Sequence, residues 1–311
     1  MTKKDTDAVE ETAAQNTKKH SRSKKALLIA VLICIVAVAA LVVWLYTGSL
    51  TTAKQKIFSA VPLPIAIVEI NPVSSVQLFE RIALAEKILK GSGQNSVDIS
   101  SQILDQLIET KKVDILARKN NLSVNDSEID AAYQAVIKQF PEGGEEGLKK
   151  SLQENYGMDL NTFKNQAVKQ SVLQDKLSKW FNEQESLNNE PYAKARELLQ
   201  QLDSGTSFED VANRYNQDPA SQNFAGDSGF VASSDLLPEF QNGIKDIAIN
   251  DKKLIVSRYG LHIIKVIAVE EKEIDGKKEK YYNLQQIFIK PNDFTKWFSE
   301  QSNNIRSVKL L

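Results

Sequence analysis

The chain has one cysteine and two histidines in 311 residues. With Cys34 alone no intrachain disulfide can form, and its place inside an apolar run points the thiol at lipid rather than at a substrate. His20 and His262 are too few ligands for a zinc site of the histidine and cysteine kind, so no metal is expected. A hydrolytic triad is disfavoured for the same reason, since His262 is the only histidine beyond the apolar run and no thiol follows it. Charge of one sign is also lacking. Lys and Arg number 39 against 40 Asp and Glu, a formal net charge of −1, which offers no basic field for a nucleic-acid partner. What remains is an ordinary globular balance, 42% hydrophobic and 25% charged, in a length that suits about two domains of roughly 100–200 residues each.

The run ALLIAVLICIVAVAALVVWLY, residues 26–46, carries no charge and matches the roughly 20 residues a helix needs to cross the hydrocarbon layer. Trp44 and Tyr46 stand at its end, where interfacial aromatics belong, and Lys18, Lys19, Arg22, Lys24 and Lys25 precede it. The positive-inside rule then predicts a single-pass anchor over 26–47 with residues 1–25 as a polar cytoplasmic tail and everything after it extracytoplasmic. A cleaved signal peptide is the alternative; its apolar region is shorter, roughly 7–15 residues, and it ends in a small-x-small site not seen cleanly here.

Beyond a tether at 48–63, PIAIVEINP reads as a strand punctuated by Pro64 and Pro72. Helical spacing follows. It holds through SSVQLFERIALAEKILK, through Ile103, Leu104, Leu107, Ile108, Ile115 and Leu116, and again between Leu160 and Phe181. Asn125 and Glu128 have the spacing of a capping box, which predicts a helix from near Asp126. Near Asn188 the pattern changes. Asn189 is placed to cap a helix with Pro191 in its first turn, Ser207 starts a shorter one, and LLPEFQNGI gives a third. KKLIVSRYG reads as a strand, LHIIKVIAVEE as a central strand apolar on both faces, and Asp275-Gly276 as a hairpin turn into KYYNLQQIFIK. Helices followed by an antiparallel sheet make the fold class α+β: an all-α region at 64–187 and a small-sheet domain at 188–311.

ARELLQQLDSGTSFEDVANRYNQDPAS, GDSGF, LLPEF and YGLHIIKV, in that order over about 75 residues, resemble the parvulin-type peptidylprolyl isomerases. The helical stretch LDQLIETKKVDILARKNNLSVNDSEID is similar to the N-terminal chaperone domain of SurA-like and PrsA-like extracytoplasmic foldases. The resemblance implies a catalytic role for Asp218 and His262, a proline shelf of Leu236 and Phe240, further substrate contacts at Ser257 and Phe230, and turn glycines at Gly226 and Gly229.

Two departures stand out. The family's opening strand with its first histidine is missing, since NEQESLNNEP occupies that place; the C-terminal LQQIFIK can fill the slot as a permuted strand. Gln286 then stands for the first histidine. A two-residue hairpin, however, puts Gln285 on the face of His262, so Gln286 requires a bulge or another turn. The second departure is Ser228, which replaces a leucine of the turn.

Blander readings exist for each residue: His262 as a core histidine, Asp218 as a turn cap before Pro219, and Leu236 and Phe240 as plain core. The resemblance implies a folding factor, held to the membrane by the apolar run, that isomerises X-Pro bonds in unfolded or nascent exported polypeptides, a reaction that cleaves no bond and needs no cofactor. The competing reading is a holdase that keeps the cleft for binding alone, and a third is a tethered scaffold with one fixed partner.

Overall fold

The computed structural model describes residues 32–91, 99–140, 143–274 and 276–311. Two units partition the chain: one holds the described residues up to Ile67 with Pro72–Glu80 and Val308–Leu311, the other Val68–Asn71 with Arg81–Ser307.

In the first unit, helix α1 (32–46) is followed by α2 (Thr52–Ala60), β1 (Pro64–Val68) and β2 (Asn71–Ser74). The stretch read as one strand is thus two, turned at Glu69 with φ +53, so the region expected to be all-α opens on a small sheet. A C-terminal strand, Ser307–Lys309, completes it beside β1. Phe58 is fully buried edge-on to Tyr46, whose hydroxyl donates to the Pro64 carbonyl at 2.9 Å. Of the expected span, residues 26–31 lie outside the described residues, as does the 1–25 tail; 32–46 are helical, and Leu32, Ile33 and Val36 stand exposed. Among the described residues no helix is long and apolar enough to cross a membrane.

The helical series continues with α3 (Ser75–Gly91), α4 (Ser100–Lys119), α5 (Asp126–Lys138), α6 (Gly144–Ser151), α7 (Leu160–Phe163) and α8 (Lys169–Glu183). Asn125 and Glu128 form the capping box in full: Asn125 Oδ1 accepts from the Glu128 amide at 3.0 Å and Glu128 Oε2 from the Asn125 amide at 2.9 Å. Ile129, Tyr133, Leu148, Leu152 and Val168 pack together beneath it.

The second half supplies α9 (Asn189–Asp203), α10 (Phe208–Tyr215), β3 (Asp227–Ala232), α11 (Pro238–Ile244), β4 (Lys252–Ser257), β5 (Gly260–Ile274), β6 (Lys277–Ile289) and α12 (Phe294–Asn303). Asn188, not Asn189, precedes α9, and its side chain turns away from that helix. Its amide donates to the Phe181 and Gln184 carbonyls at 2.7 and 3.2 Å, closing the C-terminus of α8, while its oxygen accepts from the Asn292 amide at 2.9 Å. Strand order is β3-β6-β5-β4, every pair antiparallel. β5 is apolar on both faces because both are covered. Leu261 and Ile263 meet Ala195, Leu198, Phe208 and Val211 of α9 and α10, whereas Ile264 and Val266 meet Phe240 and Ile244 of α11. Each such side chain, fully buried, is worth about 1.5–3 kcal/mol.

The hairpin starts in the expected register, with Ile274 opposite Lys277 and Ala268 opposite Asn283. Between Val266 and Ala268 that register slips by one residue, so Ile267 is a bulge and His262 pairs with Phe288. Because side chains alternate along a strand, the slip moves Gln286 rather than Gln285 onto the face of His262.

Candidate active site

On the α11 face of the sheet a continuous chain of hydrogen bonds crosses from loop to strand. His262, only 5% exposed, stacks on the Phe288 ring and meets the Phe240 ring edge-on, both at 4.8 Å between centroids. Its Nδ1 lies 3.4 Å from Gln286 Oε1, which can only accept, so Nδ1 carries the proton and Nε2 accepts from the Ser257 hydroxyl at 2.8 Å. Ser257 Oγ in turn accepts from the Tyr259 amide at 3.0 Å. On the other side Gln286 Nε2 donates to Asp218 Oδ2 at 2.7 Å, and the Ser221 hydroxyl donates to the same oxygen at 2.6 Å. Burial pushes the His262 ring down to about 4, against weaker opposing effects of the Gln286 bond and the Asp218 charge, which leaves a neutral imidazole at physiological pH.

The loop that delivers Asp218 is held by Asn216. Its oxygen accepts from the amides of Phe288 at 2.9 Å and Asp218 at 3.1 Å, and its amide donates to Ser221 Oγ at 3.0 Å. Farther along, Gly226 touches β6 directly: its carbonyl accepts from the Gln286 amide at 2.8 Å, and a Cβ there would stand 2.1 Å from the Gln286 carbonyl oxygen. With φ +78 as well, only glycine fits without displacing the loop. Gly229 has φ +62 but open space around it, so it serves only the turn.

Beside this chain lies a pocket of about 190 Å³, lined by Leu236, Leu237, Phe240, Ile264, Leu284, Ser228, Asp235 and Gln286. It is small against the roughly 300–1,000 Å³ of drug-sized sites and scaled to a single side chain. Ser228 turns its hydroxyl to the Leu284 carbonyl at 3.0 Å. Among the described residues no group of three or more histidine, cysteine or acidic side chains is arranged to hold a metal.

The expected site residues separate into layers. Leu236, Phe240 and Gln286 line the pocket, and Asp218 reaches it through Gln286. His262 lies one layer behind Phe240 and Gln286. Ser257 is fully buried behind His262, so it orients that ring and cannot touch a substrate. Phe230 is exposed on β3, outside the lining, with Lys272 Nζ 5.5 Å from its ring. Sequence reasoning missed Asn216, Ser221, Phe288 and the pocket residues Leu237, Asp235, Ile264 and Leu284. The Asn-x-Asp spacing of Asn216 and Asp218, which favours a side-chain-capped turn, was a signal for the first of these.

Residues 158–272 match the PPIC-type PPIASE domain family. Over 202 residues the chain is 30% identical to foldase protein PrsA 2 of Bacillus cereus, covering 60% of this chain and 66% of that protein. Foldase protein PrsA of Caldanaerobacter subterraneus is 26% identical over 197 residues, 59% of this chain and 62% of that protein. Chaperone SurA of Legionella pneumophila is 28% identical over 120 residues, 38% of this chain and 28% of that protein. The chain therefore spans just under two thirds of the length of the PrsA proteins it matches over some 200 residues. A crystal structure of peptidylprolyl isomerase PrsA from Bacillus anthracis aligns with 64% of this chain and 86% of that chain at 21% identity, with a TM-score of 0.21, too low to support an argument about arrangement. The family match spans Asp218, Leu236, Phe240 and His262 but ends before the pocket residues Leu284 and Gln286. The chain carries a parvulin domain of the PPIC type and is a homologue of the PrsA and SurA foldase chaperones.

Proposed function

We propose that the chain is a membrane-anchored, extracytoplasmic folding factor that catalyses cis-trans isomerisation of X-Pro bonds in unfolded or nascent exported polypeptides. The anchor is the apolar run at 26–47, with residues 1–25 cytoplasmic by virtue of the lysines and arginine before the run, and 48–63 as tether. Residues 64–187 form the chaperone-like module and 188–311 the isomerase domain.

The reading is carried by one observation: Gln286, locked between His262 and Asp218, faces a pocket whose walls are Leu236, Phe240 and Leu284. Rotation about the amide costs about 18–20 kcal/mol because it breaks conjugation. An apolar shelf that seats the proline ring strips water from the planar amide, whose carbonyl is the better hydrogen-bond acceptor. The twisted amide loses less by that desolvation, so binding favours it over either planar form. Gln286, with both amide ends already bonded, presents a fixed dipole that need not reorganise as the bond turns. In this scheme Asp218 and His262 are positioning residues, and no proton is transferred.

A second reading, a holdase with a peptide-binding cleft and no useful turnover, is favoured by Gln286 in the place of a titratable histidine and by Ser228 in a pocket wall. Proline-limited refolding of a client by the full chain separates the two. The slow phase accelerates with the wild type and less with Asp218→Ala or His262→Ala; no acceleration, with client aggregation still suppressed, would leave the binding reading.

A further inference from the structure

Among the described residues, Asp235 is the only charged side chain lining the pocket. It ends a short helical turn, Ser233–Asp235, and its carboxylate accepts a long hydrogen bond, 3.4 Å, from the Ser234 hydroxyl. Behind the pocket, Asp218 accepts only from neutral donors: the Gln286 amide, the Ser221 hydroxyl and the Ala220 backbone. Next to Asp235, the Ser234 amide donates to Glu279 Oε1 at 3.3 Å, which brings a third carboxylate to this side of the domain. Lys138 is near enough to Glu279 to act on its charge, whereas two other cations are engaged elsewhere. Lys272 is paired with Glu270 at 3.4 Å and sits over the rings of Phe230 and Tyr281. Arg258 faces Asp175 at 3.5 Å, and neither cation lines the pocket. Gln286 holds no charge and His262 is neutral, so the charge that the pocket presents is that of Asp235, exposed at its rim with no cation among the lining residues.

We propose that Asp235 sets substrate preference: the pocket takes X-Pro segments whose residue before the proline is lysine or arginine, and disfavours those with a carboxylate or phosphate there. The inference rests on the isomerase reading for its turnover measurement but not for its binding measurement. Rim charges discriminate partners by attraction and by repulsion alike, and they do so most at low salt.

The test uses the full chain and the peptides Ala-Xaa-Pro-Phe with Xaa lysine, alanine or glutamate, with exchange rates and affinities both measured by NMR. At about 10 mM salt, where the screening length is about 30 Å, kcat/KM for the lysine peptide exceeds that for the glutamate peptide by about threefold to tenfold. At about 1 M salt, where screening acts within about 3 Å, the ratio contracts towards one. Asp235→Asn lowers the low-salt ratio and Asp235→Lys inverts it. Equal rates for the two peptides, or a ratio untouched by Asp235→Lys, overturn the proposal. If the alanine peptide is not accelerated at all, the isomerase reading fails by itself. The dissociation constants of the three peptides then decide: tighter binding of the lysine peptide, lost in Asp235→Lys, upholds the assignment, and equal binding ends it.

Discussion

Acidification should destabilise the sheet domain through His262 specifically. The ring ionises near 4 in the folded chain against an ordinary 6.5, because burial between Phe240 and Phe288 excludes the water that would solvate a cation. The unfolded chain therefore binds the proton first as pH falls. Stability is full above about 6.5, drains away between 6.5 and 4, and levels off below, where both states are protonated. From pH 7.5 to 4.5 the two ionisation constants give a loss of about 2–3 kcal/mol, a sizeable share of a total stability of about 5–15 kcal/mol. Urea unfolding followed by tryptophan fluorescence reads it, since Trp297 packs on Trp180 and Phe181 in the same unit. Carboxylates titrate in this range too, so the quantity to measure is the difference between wild type and His262→Phe at each pH. That difference should change by about 2–3 kcal/mol in favour of the variant on going from 7.5 to 4.5. A wild-type-to-variant gap that is constant with pH would refute the account of a buried, neutral histidine.

Two further substitutions probe the loop and the network. Gly226→Ala should cost about 3 kcal/mol or more, from left-handed strain and the broken bond to the Gln286 amide together, and should slow isomerisation because Asp218 moves with the loop. Gly229→Ala, with a similar φ but no atom in the way, should cost only about 1–2 kcal/mol; equal losses in urea unfolding would mean that the close approach to β6 is not what constrains Gly226. Gln286→His puts a titratable ring against Asp218, so a pH-rate profile that is flat across pH 6–8 in the wild type should acquire an inflection near the ordinary histidine value of about 6.5; an unchanged profile would place the reacting amide away from residue 286.

Many elements of this chain were legible from local signals, although Asn189 does not cap α9 and PIAIVEINP is two strands rather than one. Asn125 and Glu128 form the box their spacing predicts, Ser207 caps α10, and the apolar run from Leu261 to Val266 is the doubly covered strand it reads as. The site itself was only half legible, for a physical reason. Alternation pins a strand's register when one face is polar, but β5 buries apolar side chains on both faces, so either register satisfies the hydrophobic pattern. On β6 the two candidates, Gln285 and Gln286, are adjacent and chemically identical, which removes the remaining clue. The bulge at Ile267 has no glycine or proline to mark it. Ser257 reads from sequence as a hydroxyl beside the histidine, yet its burial depends on packing that the strand pattern does not reveal. The tail strand Ser307–Lys309 pairs with residues more than 200 positions earlier, beyond the reach of any local rule.

The order of strands carries one more consequence. β6 comes last of the four along the chain but lies inside the sheet, bonded to β3 on one side and β5 on the other. Without it both neighbours would become bare edges, and the two cores would lose Ile287 and Ile289 on one face and Tyr282 and Leu284 on the other. Four side chains at about 1.5–3 kcal/mol each amount to as much as the whole stability of a typical domain. The stretch that matches the PPIC-type family stops at residue 272, within β5, and so lacks the strand on which β3 and β5 both pair. The sheet extends to Ile289, and the residue that faces the pocket between His262 and Asp218 lies in the part that the match leaves out.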